Sequence, residues 1–129
     1  MVEALPMKKP ILAFERRQNV GLARVTLTEL VHPDELAALS HEFRDWAKAE
    51  EFSAQVLDLS GLTYLTSAAI GMLINMDAQL KARSRRLAIV IAKNSLTDEI
   101  LGHTHLNQLV PIHYSLDEAI AALDQDEKT

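Results

Sequence analysis

The chain contains no cysteine, which excludes disulfide frameworks and thiolate metal sites and fits a reducing compartment. Glycine is scarce: Gly21, Gly61, Gly71 and Gly102 are the four present, too scattered to assemble a Gly-rich phosphate loop of the dinucleotide or Walker type. Three Phe, two Tyr and one Trp give little support to base stacking. Positive charge is outnumbered, 13 Lys and Arg facing 18 Asp and Glu for a formal net charge of −5. That balance opposes broad attraction to nucleic acid or anionic lipid. Long hydrophobic runs are also missing. The N-terminus, MVEALPMKKPILAF, has an acid early and a proline inside its apolar portion, so it fits neither a secretory signal nor a membrane span. The expectation is a cytoplasmic protein with no membrane insertion and no direct contact with nucleic acid.

What is present is enough for one core, since 129 residues at 48% hydrophobic composition is the size of a single domain. Residues 1–10 read as a flexible N-terminal tail, 11–123 as the domain and 124–129, DQDEKT, as a charged C-terminal tail. The domain opens with a strand from Ile11 to Glu15, a turn at Gln18-Asn19 and a second strand from Val20 to Thr28. Ala23, Val25 and Leu27 fall on one face of that strand and Leu22, Arg24 and Thr26 on the other, the pattern of a sheet with one face more exposed. A helix follows from Pro33, with Asp34 and Glu35 in its first turn and an inward stripe of Leu36, Leu39, Phe43, Trp46 and Ala47. Further along, Leu87 to Ala92 reads as a strand, a helix begins near Ser95 and ends at Gly102, Val110 and Ile112 mark a last short strand, and Ser115 with Glu118 forms a capping-box pattern before a terminal helix. The order is that of an α/β fold, a mixed sheet of about five strands with about four helices packed on it.

The stretch around which the rest is arranged is QVLDLSGLTYLTSAAIGMLINMDAQLKAR, Gln55 to Arg83. Val56, Leu57 and Leu59 form a short apolar strand, broken at Ser60-Gly61 and resumed through Leu62, Tyr64 and Leu65. A helix then starts with Ser67 as its expected N-cap, placing a hydroxyl where strand becomes helix. Such a position tolerates negative charge, including a phosphate on the serine. The helix end carries Lys81, Arg83, Arg85 and Arg86, read as a solvated basic end favoured by the helix dipole.

The segment VLDLSGLTYLTSAAIG resembles the signature of the STAS domain, the family of bacterial anti-sigma-factor antagonists (anti-anti-sigma factors), in which the pattern ends Asp-Ser-Ser-Gly-Leu-Gly. The resemblance continues into LGHTHLNQLVPIHYSLDEAIAAL and covers the chain from about Ile11 to Leu123. It implies a single-domain STAS-like fold and places Ser67 on the family's phosphorylatable serine, with Thr66 as a second hydroxyl at the same turn. Thr66 stands at the family's acidic position, Ala68 at its second serine and Ala69 at its first glycine. The implied partner is an anti-sigma factor that is also a serine kinase of the histidine-kinase-like ATPase fold, and a PP2C-type phosphatase would reverse the modification. The kinase brings ATP and magnesium; the antagonist itself needs no cofactor. Partner switching of this kind regulates transcription through signalling by a phosphoprotein.

Other chemistries find less support in the residues. A Ser-His-Asp triad from Ser67, a histidine and Asp58 or Asp98 lacks the flanking glycines of a nucleophile elbow, because Leu65 and Ala69 occupy those positions. His103 and His105, with only His113 near, lack the further ligands that a metal site needs. The expectation is therefore a binding protein, neither an enzyme nor a metalloprotein. The candidate partner-binding residues are Asp58, Thr66, Ser67, Ala68, Met72 and Met76. Met72 and Met76 have the type and spacing of adaptable partner surfaces, although both also suit a core. Asp58 suits a strand end bonded to local amides as well as a partner contact. Two functional classes follow: a phospho-switched antagonist, and a STAS adaptor that docks without phosphorylation to another signalling or transport protein.

Overall fold

A computed structural model of the chain describes residues 11–17, 19–49, 52 and 54–127. The segment read as an N-terminal tail, 1–10, lies outside these residues, as does Gln18 of the expected first turn. The first half of the chain forms β1 (Leu12–Arg17), β2 (Val20–Val25), β3 (Glu29–Leu30), α1 (Pro33–Ala49), β4 (Ala54–Asp58) and β5 (Tyr64–Leu65). The second half forms α2 (Ser67–Lys81), β6 (Arg86–Val90), α3 (Leu96–Thr104), a 3-10 turn (Leu106–Gln108), β7 (Ile112–His113) and α4 (Leu116–Glu127). The helix α4 thus takes in the first four residues of the stretch read as a C-terminal tail.

The main sheet has five strands in the order β1-β2-β4-β6-β7, with the β1/β2 hairpin antiparallel and the other pairs parallel. A mixed five-stranded sheet with four helices is the expected α/β architecture. Alternation along the strands divides the core in two. Ala23, Val25, Leu57, Leu59, Leu87 and Ile89 pack against α1, α2 and α3 in the larger cluster. Val20, Leu22, Ala54, Val56, Ala88 and Val90 pack beneath Ala119 and Leu123 of α4.

Three readings of the sequence change here. The second strand ends at Val25 rather than Thr28, and Leu22 is buried, because α4 covers the sheet face that alternation alone left open. The next residues instead form β3, which pairs in parallel with β5 as a separate two-stranded sheet, Glu29 beside Tyr64 and Leu30 beside Leu65. Gly102 does not end α3, which continues to Thr104; His105 supplies the left-handed residue after the helix at φ 57°. The capping serine read at Ser115 forms, its Oγ accepting from Glu118 N at 3.1 Å, and the helix read as beginning near Ser95 is capped by that residue, whose Oγ accepts from Asp98 N at 3.1 Å.

The outer corner of the larger core is aromatic. Trp46 stacks on Phe14 with ring centroids 4.7 Å apart and tilts against Phe52 at 5.1 Å. This closeness to the sheet depends on Gly21, where an added Cβ would lie 2.6 Å from Phe52 Cε2 and 2.7 Å from Trp46 Cζ2. The variant Gly21→Ala is expected to lose about 1–3 kcal/mol of stability through overpacking, read as a lower midpoint in urea denaturation; an unchanged midpoint would show that the rings move aside freely. Gln55, on the central strand, is fully buried, and among the described residues neither its amide nitrogen nor its amide oxygen has a hydrogen-bond partner. An apolar side chain of similar shape removes that desolvation cost, so Gln55→Met is expected to gain about 1 kcal/mol in the same assay; a loss of that size would contradict the assignment of Gln55 as unpartnered.

Candidate functional site

The site is built where β4 hands the chain to α2. Asp58 ends β4, and its Oδ1 accepts from Ser60 N at 2.9 Å, fixing the turn that follows the strand. Leu62 N then donates to Leu59 O at 2.9 Å, and the buried Thr97 hydroxyl donates to Leu62 O at 3.1 Å. On the other side Thr63 N donates to Thr28 O at 2.6 Å and Thr66 N to Leu30 O at 3.2 Å. The two-stranded β3/β5 sheet therefore clamps the lead-in to the helix along its whole length.

That clamp moves the cap by one residue from the position read in the sequence. Pairing beside β3 keeps Thr66 extended, at φ −95° and ψ 170°, which is the conformation an N-cap needs. Its Oγ1 accepts from Ala69 N at 3.3 Å, while its carbonyl receives Ile70 N at 3.1 Å. Ser67 is consequently the first residue of α2 rather than its cap. Its side chain is exposed, and no hydrogen bond or ion pair engages it among the described residues. The first-turn amides of Ser67 and Ala68 have no intrahelical acceptor, and the first turn carries no acidic residue.

The candidate residues separate into two groups. Thr66, Ser67 and Ala68 come together at the start of α2, with Thr66 half-buried and the other two exposed. Met72 is half-buried against the larger core, and Met76 is inside it, 1% exposed; Met76 presents no surface to a partner because it shares the inward stripe of Leu73 and Leu80. Asp58 is also removed from the helix start. Alternation turns it with Val56 toward the α4 side of the sheet, where it is largely buried and lies 3.7 Å from the Arg24 guanidinium.

Ala68 continues into a wider surface, most of which the partner-binding candidates did not include. The outward face of α2 carries Ala68, Gly71, Ile74, Asn75 and Ala78, all exposed and all uncharged. Ile74 is 40% exposed, as is Tyr64 of β5, which pairs with the exposed Glu29. Ile74 was detectable as an apolar residue out of phase with the inward stripe of Ile70, Leu73 and Leu80. Tyr64 and Glu29 gave no such signal, because their proximity arises from pairing between strands of two residues each.

Hydrolytic and metal-bound chemistry gains nothing from this geometry. No hydrogen bond joins Ser67 to a histidine or carboxylate, and no group of three His, Asp or Glu side chains suited to a metal ion occurs among the described residues. No helix among them is long and apolar enough to cross a membrane. The pKa that shifts belongs to Tyr114, whose phenol donates to Asp98 Oδ1 at 3.0 Å; the hydrogen bond, with smaller contributions from desolvation and the carboxylate charge, raises it above the ordinary phenol value. This pair joins β7 to α3 and lies outside the α2 site.

Comparison with known proteins follows this geometry. The family described as "Mlab, STAS domain" matches residues 14–111. No curated protein matches in sequence. Among solved structures, an anti-sigma factor antagonist from Mycobacterium paratuberculosis is 22% identical with a TM-score of 0.75, over 86% of this chain and 91% of that one. The anti-sigma factor antagonist SpoIIAA in its unphosphorylated form is 12% identical with a TM-score of 0.70, over 88% and 96%. The Bacillus cell fate determinant SpoIIAA in its phosphorylated form is 14% identical with a TM-score of 0.62, over 87% and 98%. At these identities the likeness is one of fold.

The cap assignment has a direct test. Thr66→Ala is expected to cost about 1 kcal/mol of folding stability, as loss of a side-chain N-cap does, whereas Ser67→Ala should stay within about 0.5 kcal/mol. Thermal or urea unfolding of the two variants checks this, and the reverse ranking would return the cap to Ser67.

Proposed function

The chain belongs to the STAS domain family, and from that membership we propose that it is a regulatory protein-binding module that captures an anti-sigma factor and is switched by phosphorylation of Ser67. The observation that carries the reading is the transfer of the cap to Thr66, which leaves the Ser67 hydroxyl exposed and unengaged at the first position of α2. A kinase can reach such a hydroxyl without unfolding the helix start. The partner in this reading is an anti-sigma factor that is itself a serine kinase of the histidine-kinase-like ATPase fold, and a PP2C-type phosphatase resets the module.

The physical switch is a change of charge at the end of the uncharged outward face of α2. Ala68, Gly71, Ile74, Asn75 and Ala78 let a partner approach the α2 backbone closely, and Tyr64 and Ile74 offer exposed apolar area beside them. A phosphoserine brings about −1.5 to −2 of charge to one end of that surface. The free first-turn amides and the positive end of the helix dipole stabilise the phosphate on this chain. The partner, having packed against a neutral face, meets an uncompensated dianion. Thr66, standing where an acid would otherwise repel the phosphate, keeps the turn neutral.

A second reading, a STAS adaptor that docks without phosphorylation to another signalling or transport protein, draws on the same face, since a stripe with no charge needs no phosphate to bind. One experiment separates the two. Intact-mass analysis and peptide mapping of the protein from its native host, with and without phosphatase, should find phosphate on Ser67. With a captured partner in hand, Ser67→Ala should bind like the wild type, and Ser67→Asp should bind at least about tenfold more weakly, the loss expected when a charge enters a dry interface without a counter-charge. Equal binding of both variants, with Ser67 unmodified during growth and stress, would leave the adaptor.

A further inference from the structure

The four cations at the end of α2 that read in sequence as one solvated patch are divided by the fold. Lys81 pairs with Asp77 at 2.9 Å and donates to Leu109 O at 3.3 Å. The Arg85 guanidinium donates to Ala47 O at 2.6 Å, tying down the last turn of α1, and Arg86 donates to Leu123 O at 3.2 Å on the opposite side of the sheet. Arg83 is left over. It faces an open cleft of about 550 Å³ between the last turns of α1 and α2, where Arg44 and Lys48 line the other wall.

These three cations have no hydrogen bond or ion pair among the described residues. Arg83 is not needed as a helix cap. The end of α2 is closed by its own backbone: Ser84 takes the left-handed conformation at φ 60°, and Arg85 N and Ser84 N donate to Leu80 O and Lys81 O at 2.8 and 3.0 Å. The neighbouring acids among the described residues are committed elsewhere. Glu42 accepts the Ile11 and Leu12 amides at 3.0–3.1 Å, Asp45 pairs with His41 at 3.1 Å, and Asp77 holds Lys81. Among the described residues, the result is a patch of unpaired positive charge on a protein whose net charge is −5.

The floor of the cleft is apolar. Phe43, Ala47 and Leu80 lie beneath it, almost wholly buried in the core; the apolar surface open to the cleft is that of the exposed Ala82 and the aliphatic stems of the cations, and the half-buried Gln79 adds an amide to the wall. Its volume falls in the range of small-molecule sites, about 300–1,000 Å³. We propose that this cleft binds a small organic anion, its apolar body against Ala82 and the aliphatic stems of the cations and its phosphate, sulfonate or carboxylate head between the charged ends of Arg44, Lys48 and Arg83. Guanidinium groups suit such heads because they present planar, paired donors, and the lysine adds a mobile point charge. The site lies at the far end of α2 from Ser67, about 22 Å along a 15-residue helix, and does not rest on the reading of Ser67.

The test uses the full chain and two dyes of nearly equal body, anilinonaphthalene sulfonate, which carries the anionic head, and phenylnaphthylamine, which lacks it. The sulfonate should bind saturably at one site per chain and about tenfold or more tighter than the neutral dye, since a charge-assisted contact contributes about 1.5–3 kcal/mol. The triple variant Arg44→Gln, Lys48→Gln, Arg83→Gln should lose that advantage while retaining its circular dichroism spectrum. A control with the same change of charge at exposed sites away from the cleft, Arg17→Gln, Arg24→Gln, Lys93→Gln, should keep it. Equal affinity for the two dyes, or an equal loss in both triple variants, would overturn the proposal, as would failure of the sulfonate to bind.

Discussion

Burial of β4 on both faces is the constraint from which the rest of the architecture follows. All five of its residues are buried, and it pairs with β2 on one side and β6 on the other. A strand in that position has no solvent-facing side, so each sheet face needs its own cover. On one face α1, α2 and α3 provide it, and on the other α4 does so alone. The parallel pairing makes this arrangement natural, because each crossover between neighbouring parallel strands carries a helix that packs back on the sheet.

The same constraint fixes the functional surface. Once β4 is locked in the middle of the sheet, its last residue, Asp58, can only turn the chain outward, and it does so through its bond to Ser60 N. The chain is caught again by β3, so that Thr66 enters the helix from an extended backbone with its hydroxyl already aimed at Ala69 N. Ser67 is exposed as a consequence of that sequence of restraints. The helix then leaves the site with one stripe in the core and an uncharged stripe outward, so a single element carries both the fold's packing and the surface proposed for partner contact.

Much of this was legible in the chain. The strand at Val56 to Leu59, the helices after Pro33, Ser95 and Ser115 and the inward stripe of α1 follow from apolar periodicity and capping residues, which act over a few neighbouring positions. What stayed hidden depends on partners distant in sequence. The coverage of Leu22 requires α4, nearly a hundred residues later, and the β3/β5 pairing joins segments too short to show a period. The difference between Ser67 and Thr66 as cap is a matter of one residue, and β3 decides it. Met76 was compatible with both core and surface by spacing, and the phase of the helix against the sheet settled it in the core. The convergence of Arg44 and Lys48 with Arg83 arises from two helices packed side by side, which no local pattern announces.

The 15 residues of α2 also act as a count. Each residue of an α-helix turns the chain by about 100°, so the direction in which Ser67 points is set by how many residues separate it from the stripe of Leu73, Met76 and Leu80 held in the core. Substitutions on the outward face leave that phase untouched. Gaining or losing one residue between Ser67 and Leu73 would instead rotate the hydroxyl by more than a quarter of a turn relative to the core. The outward positions of α2 can therefore change in chemistry at little cost to the fold, whereas the spacing from Ser67 to Leu73 sets where the hydroxyl points.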